Sequence, residues 1–160
     1  MSSIAMAPQP GADLVASYPL IAQLFTRHGY AELNAANLDA FLALPGRVLL
    51  AFLEDPLRIK ETLDLAVILP QLERAFPARF RVGVLLPDAA RQHQLRYGFN
   101  RWPALVMLAD GQYVGAVDGL RNWDDYLAQV EALLASGPTR PPTVGIAVRG
   151  AGGAPGARVC

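Results

Sequence analysis

Apolar positions along the chain follow two periods, and the changes between them mark out the elements. Leu20, Ile21, Leu24 and Phe25 recur at helical spacing, with Ser17 as cap, Pro19 in the early turn and Gly29 as the stop. Tyr30 to Leu33 reads as a short strand. Leu38, Phe41 and Leu42 mark one face of a second helix, capped by Asn34 or Asn37 and ended by Pro45-Gly46. Arg47 to Leu53 is almost continuously apolar, which is the pattern of a strand covered on both faces and favours a parallel or mixed sheet between helices. Glu54 to Asp64 reads as a loop. Leu65, Ile68, Leu69, Leu72 and Phe76 then return to helical spacing, with Pro70 as an early-turn residue or a kink. Phe80 to Leu86 is the next strand, Asp88 is expected to cap the helix running to Tyr97, and Gly98 closes it.

The stretch from Tyr97 to Gly119 organises the remainder. Proline lacks the N–H that a central ladder needs, so Pro103 belongs at the first residue of its strand or in a turn ahead of it, and it pushes Trp102 toward an extended backbone. An apolar strand, an Asp110-Gly111 turn and a returning strand ended by Asp118-Gly119 make a β-hairpin. Asn122 caps a last helix with Asp124 and Asp125 in its first turn and Tyr126, Leu127, Val130, Leu133 and Leu134 on its buried face. Residues 1–12 are small and polar, and the segment 137–160 is rich in Gly and Pro; both are expected to lack order, leaving 13–136 as the domain. The predicted order β-α-β-α-β-α-β-β-α, with an extra N-terminal helix, describes an α/β fold with a central mixed sheet flanked by helices.

Composition narrows the class. With 160 residues, 52% of them apolar, one domain with an ordinary core is expected. Pro45, Pro56, Pro70 and scattered charges break every candidate membrane span, and Met1 to Ala12 has no basic region leading into an apolar one, so cytoplasmic residence without membrane insertion is the expectation. All fourteen acidic residues lie before residue 136, whereas Arg140, Arg149 and Arg158 lie beyond it. The body therefore carries eleven basic against fourteen acidic residues, the wrong sign for a nucleic-acid-binding domain. The single cysteine, Cys160, cannot form an internal disulfide, and two histidines with one terminal thiol make no metal cluster. No cofactor is expected.

The order helix, Tyr97-Gly98-Phe99, a short irregular segment, Trp102-Pro103, apolar strand, Asp110-Gly111 turn and second strand resembles the C-terminal half of thioredoxin, with the likeness extending over roughly residues 31 to 135. The resemblance implies that Pro103 is the fold's cis proline, facing the place of the redox cysteines. That chemistry needs Cys-x-x-Cys at the start of the helix after the buried strand, where the helix N-terminus depresses the first thiol's pKa. The equivalent region here, Glu54 to Asp64, contains no cysteine, serine or histidine, so no enzyme activity is expected. Cys160 has no fixed basic or helix-dipole neighbour to activate it; a residual thiol oxidoreductase using it is the least favoured alternative.

Within the fold, Asp55-Pro56 after the long strand, Phe99-x-Arg101-Trp102-Pro103-Ala104-Leu105-Val106 ahead of the turn, Asp110-Gly111-Gln112-Tyr113-x-Gly115, and Asp118-Gly119-Leu120-Arg121-Asn122-Trp123 are similar to the hydrogenase expression and formation proteins of the HyaE, HupG and HoxO type. This resemblance implies a chaperone in the assembly of uptake nickel-iron hydrogenases, with the small-subunit precursor and its twin-arginine signal, and other maturation proteins, as partners. A general peptide-binding scaffold made from an inactive thioredoxin is the other alternative. The candidate partner-binding residues are Trp102 and Pro103, with Glu54, Asp55, Glu61 and Asp64 as an acidic face for a basic signal, set against the plainer reading of those charges as a solvated run diluted by Arg58 and Lys60. Trp102 is preferred as a contact residue over a core filler, and Trp123 as a core or staple residue over a contact. His28 reads as a partner for a helix C-terminus and His93 as a surface residue.

Overall fold

The computed structural model describes residues 10–142. Residues 1–9 and 143–160, with Arg149, Arg158 and Cys160 among them, lie outside the described residues. The elements in chain order are α1 (Pro10–Ser17), α2 (Pro19–Thr26), β1 (Ala31–Leu33), α3 (Leu38–Ala43), β2 (Arg47–Phe52), α4 (Glu61–Ala75), β3 (Arg81–Leu85), α5 (Pro87–Tyr97), β4 (Ala104–Ala109), β5 (Gln112–Asp118) and α6 (Trp123–Leu134). The five strands form one sheet in the order β1-β3-β2-β4-β5, with β1, β3 and β2 parallel and β4 and β5 antiparallel to their neighbours. This is a thioredoxin-like mixed sheet between helices, and the Trp102–Pro103 peptide is cis as that likeness implied.

Strand β2 shows why the sheet must be covered twice. Successive side chains of a strand point to opposite faces. Leu49 and Ala51 join a core with Ile21 and Leu24 of α2, Leu65, Leu69 and Leu72 of α4, and Tyr126 and Val130 of α6. Val48, Leu50 and Phe52 join a second core with Leu38 of α3, Tyr97 at the end of α5, and Phe99. Strand β4 divides likewise, Leu105 and Met107 to the first core and Ala104, Val106 and Leu108 to the second. A fully buried leucine contributes about 1.5 to 3 kcal/mol over an exposed one, so the two strands without polar faces anchor the domain.

Several local expectations are corrected. Two short N-terminal helices stand where one was expected, because Pro19 has no N–H and holds the preceding Tyr18 extended (φ −127°, ψ 98°). Tyr18, not Ser17, is therefore the cap position of α2, and α1 starts at Pro10, inside the stretch expected to lack order. Asn37 sits at the cap position of α3 without a side-chain cap bond; Asn34 instead accepts from the Ala36 and Asn37 amides, and Asn37 from the Asn34 amide. Helix α5 begins at Pro87, whose fixed φ suits a first helical position, so Leu86 is its cap and Asp88 is displaced into the first turn. Gly98 closes that helix in the left-handed conformation (φ 71°). Asp110 (φ 50°) and Gly111 (φ 81°) make the tight hairpin turn. Thr139, beyond the expected domain boundary, donates its amide to the Tyr113 carbonyl (2.8 Å) and its hydroxyl to that of Val114 (3.0 Å), satisfying carbonyls beside the β5 irregularity. Among the described residues no helix is long and apolar enough to cross a membrane.

Candidate functional site

Register brings the candidate segments together. Phe52 lies opposite Leu85 and Ala104, and Ala104 lies opposite Asp118. The chain after β2, before β4, after β5 and after β3 therefore meets at one end of the sheet. Gly119 donates its amide to the Pro103 carbonyl (2.9 Å), and the Asn100 and Arg101 amides donate to Asp118 Oδ2 (3.2 Å each), tying the segment before β4 to the one after β5. Pro103 is buried, and Trp102 is half-buried with its ring edge-on to Phe99 (5.1 Å), which in turn meets Phe52 (4.9 Å). Trp102 thus combines the contact and core readings: one part packs, the other faces solvent.

The acidic candidates separate. Glu54 is only 6% exposed, and its carboxylate accepts from Arg91 Nε (2.9 Å), from Arg91 Nη2 and from the Asp55 amide (2.7 Å), with Arg58 3.9 Å away. Burial pushes its carboxyl pKa up, but the Arg91 guanidinium, the Asp55 amide and Arg58 outweigh burial and hold it below the ordinary value. Glu54 is therefore a structural ion-pair partner that fastens the loop after β2 to α5, contrary to the reading of it as part of an acidic face. Asp55 folds that loop: its Oδ1 accepts from the Leu57 amide (2.9 Å) and its carbonyl from Arg58 and Ile59 (2.8 and 2.9 Å). Helix α4 starts at Glu61, four residues before the first periodic leucine, so Glu61, half-buried, and Asp64, exposed, stand in its first turn rather than in the loop. There they suit the helix dipole.

Sequence reasoning missed the apolar residues around this end. Leu57 is 85% exposed at the tip of the Asp55 turn, and Leu120 and Trp123, following Gly119, are each 37% exposed. Of the core or staple roles expected for Trp123, its exposure excludes the first. A leucine between Pro56 and Arg58 in a polar turn was the available signal. Arg91 was also missed, since nothing local links it to Glu54. His93 is half-buried rather than a surface residue, with Nε2 buried and without a hydrogen-bond partner. His28 stacks on Tyr30 (5.7 Å) just past α2.

The one hydroxyl between Glu54 and Asp64 belongs to Thr62, which is wholly buried and cannot meet a substrate. Among the described residues no three His, Cys, Asp or Glu side chains are grouped to hold a metal ion.

The family model described as Hydrogenase-1 expression protein HyaE matches residues 20–126, from α2 into α6. The chain belongs to the HyaE family. Among its relatives, the hydrogenase expression/formation protein HoxO of Cupriavidus necator is 39% identical over 149 residues, covering 92% of this chain and 91% of that one. HoxO of Azotobacter vinelandii is 42% identical over 118 residues, 74% of this chain and 79% of that one. A solved structure of a hydrogenase expression/formation protein hupG from Rhodopseudomonas palustris is 34% identical, covers 66% of this chain and 95% of that one, and superimposes with a TM-score of 0.47. Membership of this HyaE family implies a part in hydrogenase maturation, and the match includes every candidate residue from Glu54 to Trp123.

Proposed function

We propose that this HyaE-family chain is a non-enzymatic, thioredoxin-like chaperone in the maturation of an uptake nickel-iron hydrogenase, holding the small-subunit precursor with its twin-arginine signal before export. One observation carries this reading. The end of the sheet where a thioredoxin places its redox motif here presents Leu57, Leu120, Trp123 and part of Trp102 to solvent, and between Glu54 and Asp64 there is no cysteine, serine or histidine and the one hydroxyl, of Thr62, is buried. Apolar side chains grouped at a loop-lined end suit capture of an apolar peptide stretch. The acidic contribution comes from Asp55, Glu61 and Asp64, because Glu54 is already neutralised by Arg91.

Titration calorimetry with the purified precursor tests it. Truncating a buried interface aromatic commonly costs about 2 kcal/mol, so Trp102→Ala weakens binding at every ionic strength. Exposed ion pairs contribute about 0.2 to 1 kcal/mol each and are screened, so Glu61→Gln with Asp64→Asn weakens binding at low salt only. Wild-type affinity for both variants would remove the client from this end of the sheet. Equal affinity for unrelated apolar peptides would make the chain a general peptide-binding scaffold instead.

A further inference from the structure

Strand β5 is the last in the sheet order, so its outer backbone groups have no neighbouring strand, and such an edge is a template for a further extended chain. Its register with β4 slips between Met107 and Leu108, which leaves Val114 opposite no residue. The chain itself takes this part of the edge. Residues 137–142, Gly-Pro-Thr-Arg-Pro-Pro, follow α6 and meet β5 at Thr139, which donates its amide to the Tyr113 carbonyl and its hydroxyl to the Val114 carbonyl. They reach the end of α5 at Pro142. A Cβ on Gly98 would collide with the Pro142 carbonyl oxygen and stand 2.9 Å from its carbonyl carbon, so only glycine admits the backbone there. Between these two anchors Pro141 lines a groove with Tyr97 and Tyr113, whose rings stack at 6.2 Å.

The resident segment shows what the groove accepts. Its three prolines fix their own φ and push Gly137, Arg140 and Pro141 toward extended backbone, so it is preformed, and prolines of extended chains suit aromatic-lined grooves. About 600 Å³ remains open alongside it, floored by Leu42, Leu108 and the two tyrosines. The charges at the rim are engaged, Asp39 with Arg96 (3.6 Å) and Asp110 with the Gly46 amide (2.7 Å), so neither calls for a charged ligand. Arg47 holds the Ser136 carbonyl (2.7 Å), which fixes the stem from which the segment departs. Beyond that stem the hold is slight: Pro141 is half-buried and the other five residues are exposed. A seat made of two carbonyl acceptors and one proline contact is one that a similar segment from another polypeptide can take over.

We propose that the β5 edge with the Tyr97–Tyr113 groove is a recognition site for an extended segment of a partner polypeptide carrying a hydroxyl residue two positions before a proline, and that residues 137–142 occupy it while the partner is absent. The site uses none of the residues at the Trp102 end, and its test uses no hydrogenase precursor. Failure of either reading therefore leaves the other standing.

The test is an amide NMR titration of the full chain with the capped hexapeptide Gly-Pro-Thr-Arg-Pro-Pro, on the wild type and on Thr139→Ala with Pro141→Ala, which loosens the resident segment and leaves the groove intact. The peptide is expected to shift the amides of Gly98, Tyr113 and Val114 in the loosened chain and to bind the wild type about tenfold more weakly, because a tethered competitor acts at an effective concentration in the millimolar range. Valine for threonine, or alanine for the proline two positions on, weakens the peptide about two- to tenfold. In the wild type itself, saturating peptide speeds hydrogen exchange of the Thr139 amide, a readout that stands should the double variant fold poorly. Absence of shifts at the groove with millimolar peptide, equal binding of the valine and threonine peptides, or unchanged Thr139 exchange would each overturn the proposal. So would dimerisation of the loosened chain through β5 in place of peptide binding, since the edge would then belong to a second copy.

Discussion

The two ends of the central sheet are finished in opposite ways. At the hairpin end most of the polar groups find partners within the fold, Arg81 Nε being an exception. Asp110 Oδ1 accepts from the Gly46 amide (2.7 Å) while the Gly46 carbonyl accepts from the Asp110 amide (2.9 Å). Arg47 donates to the carbonyls of Leu133 (2.9 Å) and Ser136 (2.7 Å) at the end of α6, and Arg81 to those of Pro45 (2.7 Å) and Leu44 (3.2 Å). At the other end Leu57, Leu120 and Trp123 face solvent and Glu32 and Asp55 have no cationic partner among the described residues. The contrast is one of degree, since Leu44 at the hairpin end is itself 47% exposed: the first end is tied mainly by hydrogen bonds within the fold, while the second groups several open apolar and charged side chains suited to partners.

The sharpest break in this contrast is Arg91, because it belongs to the open end yet holds the structure. Removing it leaves the buried Glu54 with only the long contact to one cation, the exposed Arg58 (3.9 Å), and losing one partner of a fully buried pair costs about 3 to 5 kcal/mol. Arg91 itself is 41% exposed on its side chain, so Arg91→Ala is expected to lower unfolding stability by about 2 to 3 kcal/mol, read by urea denaturation. Replacing both partners with uncharged residues of similar shape should recover part of that loss. Arg47→Ala, at the hairpin end, removes two bonds from the carbonyls of Leu133 near the end of α6 and of Ser136 just past it, and should cost about 1 to 2 kcal/mol with precursor affinity unchanged. A fall in affinity there would show that the two ends are coupled. Leu57→Ser should do the opposite: within about 0.5 kcal/mol of wild type in stability, since the side chain is already in water, but weaker in precursor binding by calorimetry.

The smallest effect is on acidification. Burial and Arg96 lower the His93 pKa against the opposing pull of Asp39, so the folded state favours the neutral ring. A lowered folded pKa contributes stability that is complete above the ordinary value of 6.5 and is lost as pH falls through the folded value. Glu54 acts with the same sign below its ordinary 4.5. Denaturation midpoints should therefore decline in two limbs as pH drops, and His93→Gln should flatten the first alone. A midpoint that rises between pH 7 and 6 would contradict the buried, unpartnered Nε2.

Much of the fold was legible because its signals are local. The six unbroken apolar residues Val48 to Leu53 need cover on both faces wherever they sit. Pro103 cannot donate to a ladder, Gly98 and Gly111 can adopt positive φ without strain, and Asn122 caps α6 by accepting from the Asp125 amide three residues on (2.8 Å). The start of α4 was misplaced because periodicity begins with leucines, whereas Thr62, polar by name, is as buried as Leu65. Nothing near Glu54 in the chain distinguishes it from Asp55, Glu61 or Asp64; what buries and neutralises it is Arg91, 37 residues away and delivered by α5. Trp102 is only half-buried and Trp123 partly exposed for the same reason. By itself the chain determined its elements, their order and the absence of a thiol where the redox motif would stand, since these rest on backbone preference and apolar spacing. Only the tertiary structure decided which carboxylates remain free and which large apolar side chains face water, because burial and charge pairing depend on what distant segments bring alongside.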